Sequence, residues 1–125
     1  MIIGSVNEGL EAIIRLSLRN ARGEDHEFTA VVDTGFNGAL TMRPAIIQTL
    51  GLEWAHQSRA ALADGSQINF NVYHGLIIWG DRIVRILVDS ADVEPLVGMS
   101  LLEGYELNVQ VREGGSVNIR PLGPA

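Results

Sequence analysis

Apolar residues recur at every second position through much of this chain, the spacing of strands that bury one face. Leu10, Ala12, Ile14, Leu16 and Leu18 are apolar, with Glu11, Arg15 and Ser17 between them. Ile68, Phe70, Val72, Leu76 and Ile78 repeat the pattern with a break at His74. Beyond a turn at Gly80 and Asp81, Val84, Ile86 and Val88 carry it on. Tyr105, Leu107, Val109 and Val111 alternate with Glu106, Asn108 and Gln110, and Gly114 and Gly115 lead into Val117 and Ile119, which reads as a terminal hairpin.

Helical punctuation is sparse. Pro44 suits a first helical position and Gly51 the position just past an end, so the sequence predicts a short helix over Pro44–Leu50. Ser100, Leu101, Leu102 and Glu103, set between Gly98 and Gly104, offer a second. The expected fold is a mainly β single domain over residues 1–125, a closed or nearly closed β-barrel with one or two short helices.

Composition removes several chemistries. With no cysteine there is no disulfide, thiolate metal site or cysteine nucleophile. All nine basic residues are Arg, which removes lysine Schiff bases and phosphate-loop lysines. Fifteen acidic residues set the net charge at −6, so the chain lacks the basic footprint of a nucleic-acid binder and no nucleic-acid partner is expected. No apolar stretch is long enough to span a bilayer, so no membrane partner is expected either. The first twelve residues have no base ahead of their apolar positions and do not read as a signal peptide. A cytoplasmic protein is the expectation. His26, His56 and His74 lack ligand spacing, and no Gly-x-Ser-x-Gly elbow occurs. Trp54 and Trp79 read as core or rim residues.

The chemistry-bearing feature is Asp33. Phe28, Thr29, Ala30, Val31 and Val32 read as a buried strand that ends abruptly in Asp33, Thr34 and Gly35. An unpaired charge buried there would cost several kcal/mol, about what an uncompensated ion costs in a protein interior, so the acid belongs at a cleft or under hydrogen bonds. After Phe36, Asn37 and Gly38 a second apolar stretch, residues 39–42, resumes.

In these residues the sequence resembles the retropepsin-like aspartic proteases, whose catalytic aspartate lies in an Asp-Thr-Gly loop after an apolar strand. Leu62, Ala63, Asp64, Gly65 and Ser66 stand where the family places its flap. Leu96, Val97 and Gly98 supply its apolar-apolar-Gly run before a short helix. The resemblance extends from Ile13 to Leu122. Phe36 replaces the usual small residue after the triplet, and Met99 stands where retroviral members have Arg, so the chain looks closer to cellular and bacterial members.

The resemblance implies an endopeptidase acting on polypeptide without metal or cofactor. With one Asp-Thr-Gly per chain, a homodimer must complete the site. Two carboxylates a few ångström apart share a proton, so one Asp33 acts as base on a water and its partner as acid toward the peptide carbonyl. Thr34 would brace the two loops across the dimer axis, and Gly35 would let backbone approach the carboxylates. Ala63, Asp64 and Gly65, with Gly65 as the flexible tip, would close over substrate. Residues 1–6 and 117–122 read as open-edge strands that a second subunit covers. The competing reading is a retropepsin-fold module that binds extended peptide, or dimerises, without cutting.

Overall fold

A computed structural model describes residues 1–124 of the chain. Its strands are β1 (Ile2–Val6), β2 (Ala12–Arg19), β3 (Asp25–Val32), β4 (Leu40–Met42), β5 (Glu53–Ala61), β6 (Gln67–Trp79), β7 (Arg82–Ser90), β8 (Leu96–Val97), β9 (Tyr105–Val109) and β10 (Ser116–Pro121). Two short helices, α1 (Pro44–Leu50) and α2 (Met99–Leu102), interrupt them. The strands form one sheet in the order β5-β6-β7-β4-β8-β3-β2-β1-β10-β9, and a further pairing of β6 with β2 bends it back on itself. Most neighbours are antiparallel; β3 with β8 and β4 with β7 run parallel. Among the described residues, no helix is long and apolar enough to cross a membrane.

The alternation places the core as expected in β2, where Ile14, Leu16 and Leu18 are buried. They pack with Leu40, Val88, Val97, Val117 and Ile119 in one cluster. The strand starts two residues later than its pattern, because Leu10 (φ 60°) belongs to a turn. The Asn7 side chain closes that turn by accepting the Glu11 N–H at 2.8 Å. In β6 the phase differs beyond Val72. The buried positions are Gly75, Ile77 and Trp79, whereas Leu76 and Ile78 are half-buried on the other face. A Cβ at Gly75 would stand 2.9 Å from Val88, so the core closes onto bare backbone there.

Residues 28–32 are less buried than their composition suggests. Ala30 alone is fully covered; Phe28, Val31 and Val32 are half-buried and Thr29 is exposed. Strand β2 pairs with β3 from Asp25 to Val31, whereas the two-residue β8 meets only Val31 and Val32, so β3 is flanked on both edges at its end alone. The chain ends also depart from expectation. Strand β1 is paired on both sides, by β2 and β10, and β10 lies between β1 and β9. The open edges are instead β5 and β9.

Helix α1 begins at Pro44 and ends at Gly51, whose φ of 67° is the left-handed cap. Strands β5 and β6 make a long ribbon. Strand β7 reaches β6 only as far as Val72, opposite Asp89. Residues 57–61 and 67–71 therefore pair only with each other and are mostly exposed.

Candidate active site

Asp33 follows the last residue of β3, and its half-buried side chain emerges where the sheet gives way to a loop. Parallel pairing of Val32 with Val97 sets the strand's end beside β8. The Asp33 N–H then donates to the Val97 carbonyl at 2.9 Å. Its Oδ1 accepts the Gly35 N–H at 2.8 Å, and its carbonyl accepts the Phe36 N–H at 3.2 Å, so the loop turns around its own aspartate. The other carboxylate oxygen accepts no hydrogen bond from the described residues. It is the oxygen left open to a water or a ligand.

A second segment holds the loop from beneath. Gly98 N–H donates to Ala39 O at 3.0 Å, Met99 N–H to Phe36 O at 2.8 Å, and Ser100 N–H to Gly38 O at 3.2 Å. The two backbones lie so close that a Cβ at Gly98 would stand 2.2 Å from Gly38 O and 2.6 Å from Phe36 O. Only glycine fits between them. The apolar pair before it supplies the anchor: Val97 is fully buried, and the Leu96 N–H donates to the buried Thr41 hydroxyl at 2.9 Å.

Thr34 and Gly35 are exposed at the loop's crest, and the Thr34 hydroxyl makes no hydrogen bond among the described residues. Met99, beside the same loop through its bond to Phe36, is 46% exposed. Asp33, Thr34 and Gly35 are thus brought together with Gly98.

Ala63, Asp64 and Gly65 sit elsewhere, at the tip of the β5–β6 ribbon. There Leu62 N–H donates to Ser66 O at 2.7 Å and Gly65 takes a φ of 87°. Asp64 accepts both the backbone N–H and the hydroxyl of Ser66, which holds its carboxyl below the usual carboxylate range. No hydrogen bond or ion pair ties the tip to the Asp33 loop among the described residues. No group of three or more His, Asp or Glu there is placed to hold a metal ion.

One residue near the site escaped the sequence reading. Asp89 is the next-to-last residue of β7 and is half-buried; a Cβ at Gly38 would lie 3.2 Å from its Oδ2. Burial pushes its carboxyl above the usual range, against a smaller opposing pull from His56. The available signal was its position, since Val84, Ile86 and Val88 run into Asp89 much as residues 28–32 run into Asp33.

No protein-family model matches the sequence, and no curated protein matches it. Among solved structures the chain is similar to a retropepsin-like aspartic protease from Rickettsia conorii, with a TM-score of 0.59 and 16% sequence identity. The match covers 97% of this chain and 90% of that one. At this identity the likeness concerns architecture, and the chain has a mainly β, retropepsin-like fold.

Proposed function

We propose that the chain is an aspartic endopeptidase whose active site forms across a homodimer, with Asp33 contributed by each copy. The observation that carries this reading is the Asp33-Thr34-Gly35 loop, hydrogen-bonded to residues 97–99 at the end of β3 within a retropepsin-like fold. The loop's own hydrogen bonds orient the carboxylate and leave one oxygen free. A twofold axis past Thr34 sets two such carboxylates against one water. One takes the water's proton as oxygen attacks the peptide carbonyl and the other donates to the carbonyl oxygen; the resulting tetrahedral intermediate collapses with cleavage of the C–N bond as the first carboxyl passes the water's proton to the leaving nitrogen and the second recovers its own.

The exposed surface around the loop favours the dimer. Thr34, Gly35 and Met99 leave polar and apolar area uncovered beside the aspartate. The Thr34 hydroxyl is available to a partner's backbone. The β5–β6 ribbon, with Gly65 at its tip, closes over an extended peptide and excludes water from the carboxylates. Ala63, Asp64 and Gly65 contact substrate in that closed state, with Asp64 holding the turn in shape.

The test is digestion of a diverse peptide pool between about pH 3 and 7, the span over which a shared-proton carboxylate pair acts. Wild type cleaves and Asp33→Asn does not, while both keep the same fold and dimer. Cleavage that survives in Asp33→Asn refutes the reading. Confirmed dimers that cut nothing support the non-catalytic peptide-binding module instead.

A further inference from the structure

Of the sheet's two open edges, β9 lies beside the Asp33 loop. Thr34, Met99, Leu102, Tyr105 and Leu107 border one groove of about 320 Å³, so the crest of the loop and the start of β9 open into the same space. The β9 edge is also bare where β5 is guarded. Strand β5 carries Glu53, His56 and Arg59 and a register shift between Trp54 and His56, and such charges and irregularity discourage pairing with another chain. Strand β9 keeps unbroken register with β10 and contains neither a proline nor a basic residue. Its single charge, Glu106, is held by Arg120 at 2.9 Å.

Hydrogen bonds at the two ends of β9 fix which of its groups face outward. Leu122 N–H donates to Gly104 O and Gln110 N–H to Ser116 O, both at 2.9 Å. Bonded positions alternate along an antiparallel ladder, so Glu106 and Asn108 also turn toward β10, and the N–H and C=O of Tyr105, Leu107 and Val109 turn to the open edge. Pro121, opposite Tyr105, has no N–H to give, which agrees with that phase. The side chains of the same three residues pack on the core yet are only half-buried, because the sheet stops there. A strand that adds to this edge must present backbone groups at the same spacing and apolar side chains on the same face. A second copy of β9 does both. The chain ends are not free to do so, since β1 is enclosed by β2 and β10 within one copy.

We infer that two copies join edge to edge through β9, antiparallel about a twofold axis at Leu107, an assignment that deepens the shared-site reading and rests on it. Tyr105 then pairs with the partner's Val109, Leu107 with the partner's Leu107, and Val109 with the partner's Tyr105. Each of these pairs exchanges two backbone hydrogen bonds, six in all. Moving the axis to Glu106 or to Asn108 leaves only two such pairs within β9, and at Glu106 it also sets two like carboxylates face to face. In the Leu107 register Glu106 stands opposite the partner's Asn108, an uncharged amide. The half-buried Tyr105, Leu107 and Val109 side chains cover one another across the seam. Because the groove bordered by Thr34 runs along that seam, the pairing sets the Asp33 loop of each copy beside the axis.

The test follows association by analytical ultracentrifugation and residue-resolved amide exchange on the full-length protein. In the wild-type dimer the Tyr105, Leu107 and Val109 amides are protected along with those of Glu106 and Asn108, and the first three lose protection when dilution separates the copies. A dimer that leaves these three unprotected overturns the β9 seam, while the shared site keeps its own test in Asp33→Asn. Leu107→Arg and Leu107→Asp each set like charges against one another on the axis and weaken the dimer by about tenfold or more, whereas an equimolar mixture of the two recovers mixed dimers. No weakening in either variant, or no recovery in the mixture, overturns the seam. Circular dichroism verifies each variant, and if neither folds the wild-type exchange pattern decides. A protein that stays monomeric at every concentration overturns the seam and the shared site together. Dimers with protected β9 amides that cut no peptide uphold the seam and defeat the peptidase reading alone.

Discussion

Gly98→Ala should damage this protein far more than the loss of a hydrogen atom suggests. The added methyl would stand 2.2 Å from Gly38 O, 2.5 Å from Phe36 Cδ2 and 2.6 Å from Phe36 O. Two of these three atoms are backbone and cannot swing away. Relief requires residues 36–38 and 98–100 to separate, which strains the bonds from Gly98 to Ala39, Met99 to Phe36 and Ser100 to Gly38. Overpacking costs about 1–3 kcal/mol and each weakened bond roughly 0.5–1 kcal/mol more, so about 3–5 kcal/mol is expected. For a chain of this size that lowers Tm by roughly 10–20 °C. The assay is urea unfolding at one fixed protein concentration, read as a fall in midpoint with unchanged slope. Gly65→Ala is the control: open space surrounds it, and its φ of 87° charges only backbone strain of about 1 kcal/mol. Gly98→Ala no more harmful than Gly65→Ala would refute the idea that the backbone clasp holds the Asp33 loop.

Three further outcomes follow from the same geometry. Because burial holds the Asp89 carboxyl above its unfolded range, the charged form is penalised in the fold. Asp89→Asn should therefore raise Tm at neutral pH, and the gain should vanish as pH falls below the ordinary carboxylate range, where both states are protonated. Asp64 has the opposite sign, since Ser66 holds its carboxyl low: its contribution to the ribbon turn is present above the unfolded range and lost as pH falls through the depressed folded value. Protection of the Gly65 and Ser66 amides, taken relative to their intrinsic exchange rates, should fall at acid pH in wild type and at all pH values in Asp64→Ala, with global unfolding little moved. Thr34→Val should leave the unfolding of each chain unchanged while weakening the dimer by roughly tenfold or more, given two hydroxyls at about 1 kcal/mol each; analytical ultracentrifugation measures it, and unchanged association would remove Thr34 from the interface.

Much of this architecture was legible because its signals are local. The alternation of Ile14, Leu16 and Leu18 marked a core strand, and Pro44 and Gly51 bracketed α1 through fixed backbone preferences. Other features depend on distant partners. Residues 76–79 are Leu-Ile-Ile-Trp, apolar on both faces, so only the packing of β6 on β2 and β7 decides that Ile77 and Trp79 face inward. That β1 is enclosed by β10 and β2 is a matter of long-range pairing that no local pattern in residues 1–6 reveals. The half-burial of Val31 and Val32 likewise reflects which faces receive a covering layer. At the site, Asp33 announced itself through the triplet and the apolar run before it. Asp89 carried half of that signal, an acid after an apolar run, without the Thr-Gly that follows Asp33; its neighbours Gly38 and His56 are brought to it only by folding.

Subunit mixing bears most directly on whether two copies of Asp33 make one active site. Wild type and Asp33→Asn are combined in varied ratios at constant total protein, allowed to exchange partners, and assayed for peptide cleavage. If both aspartates are needed, only wild-type pairs cut, and activity falls as the square of the wild-type fraction, to about one quarter at an equal mixture. Activity that falls in simple proportion, to about one half, would show that each chain carries a complete site and would contradict the shared-dimer mechanism.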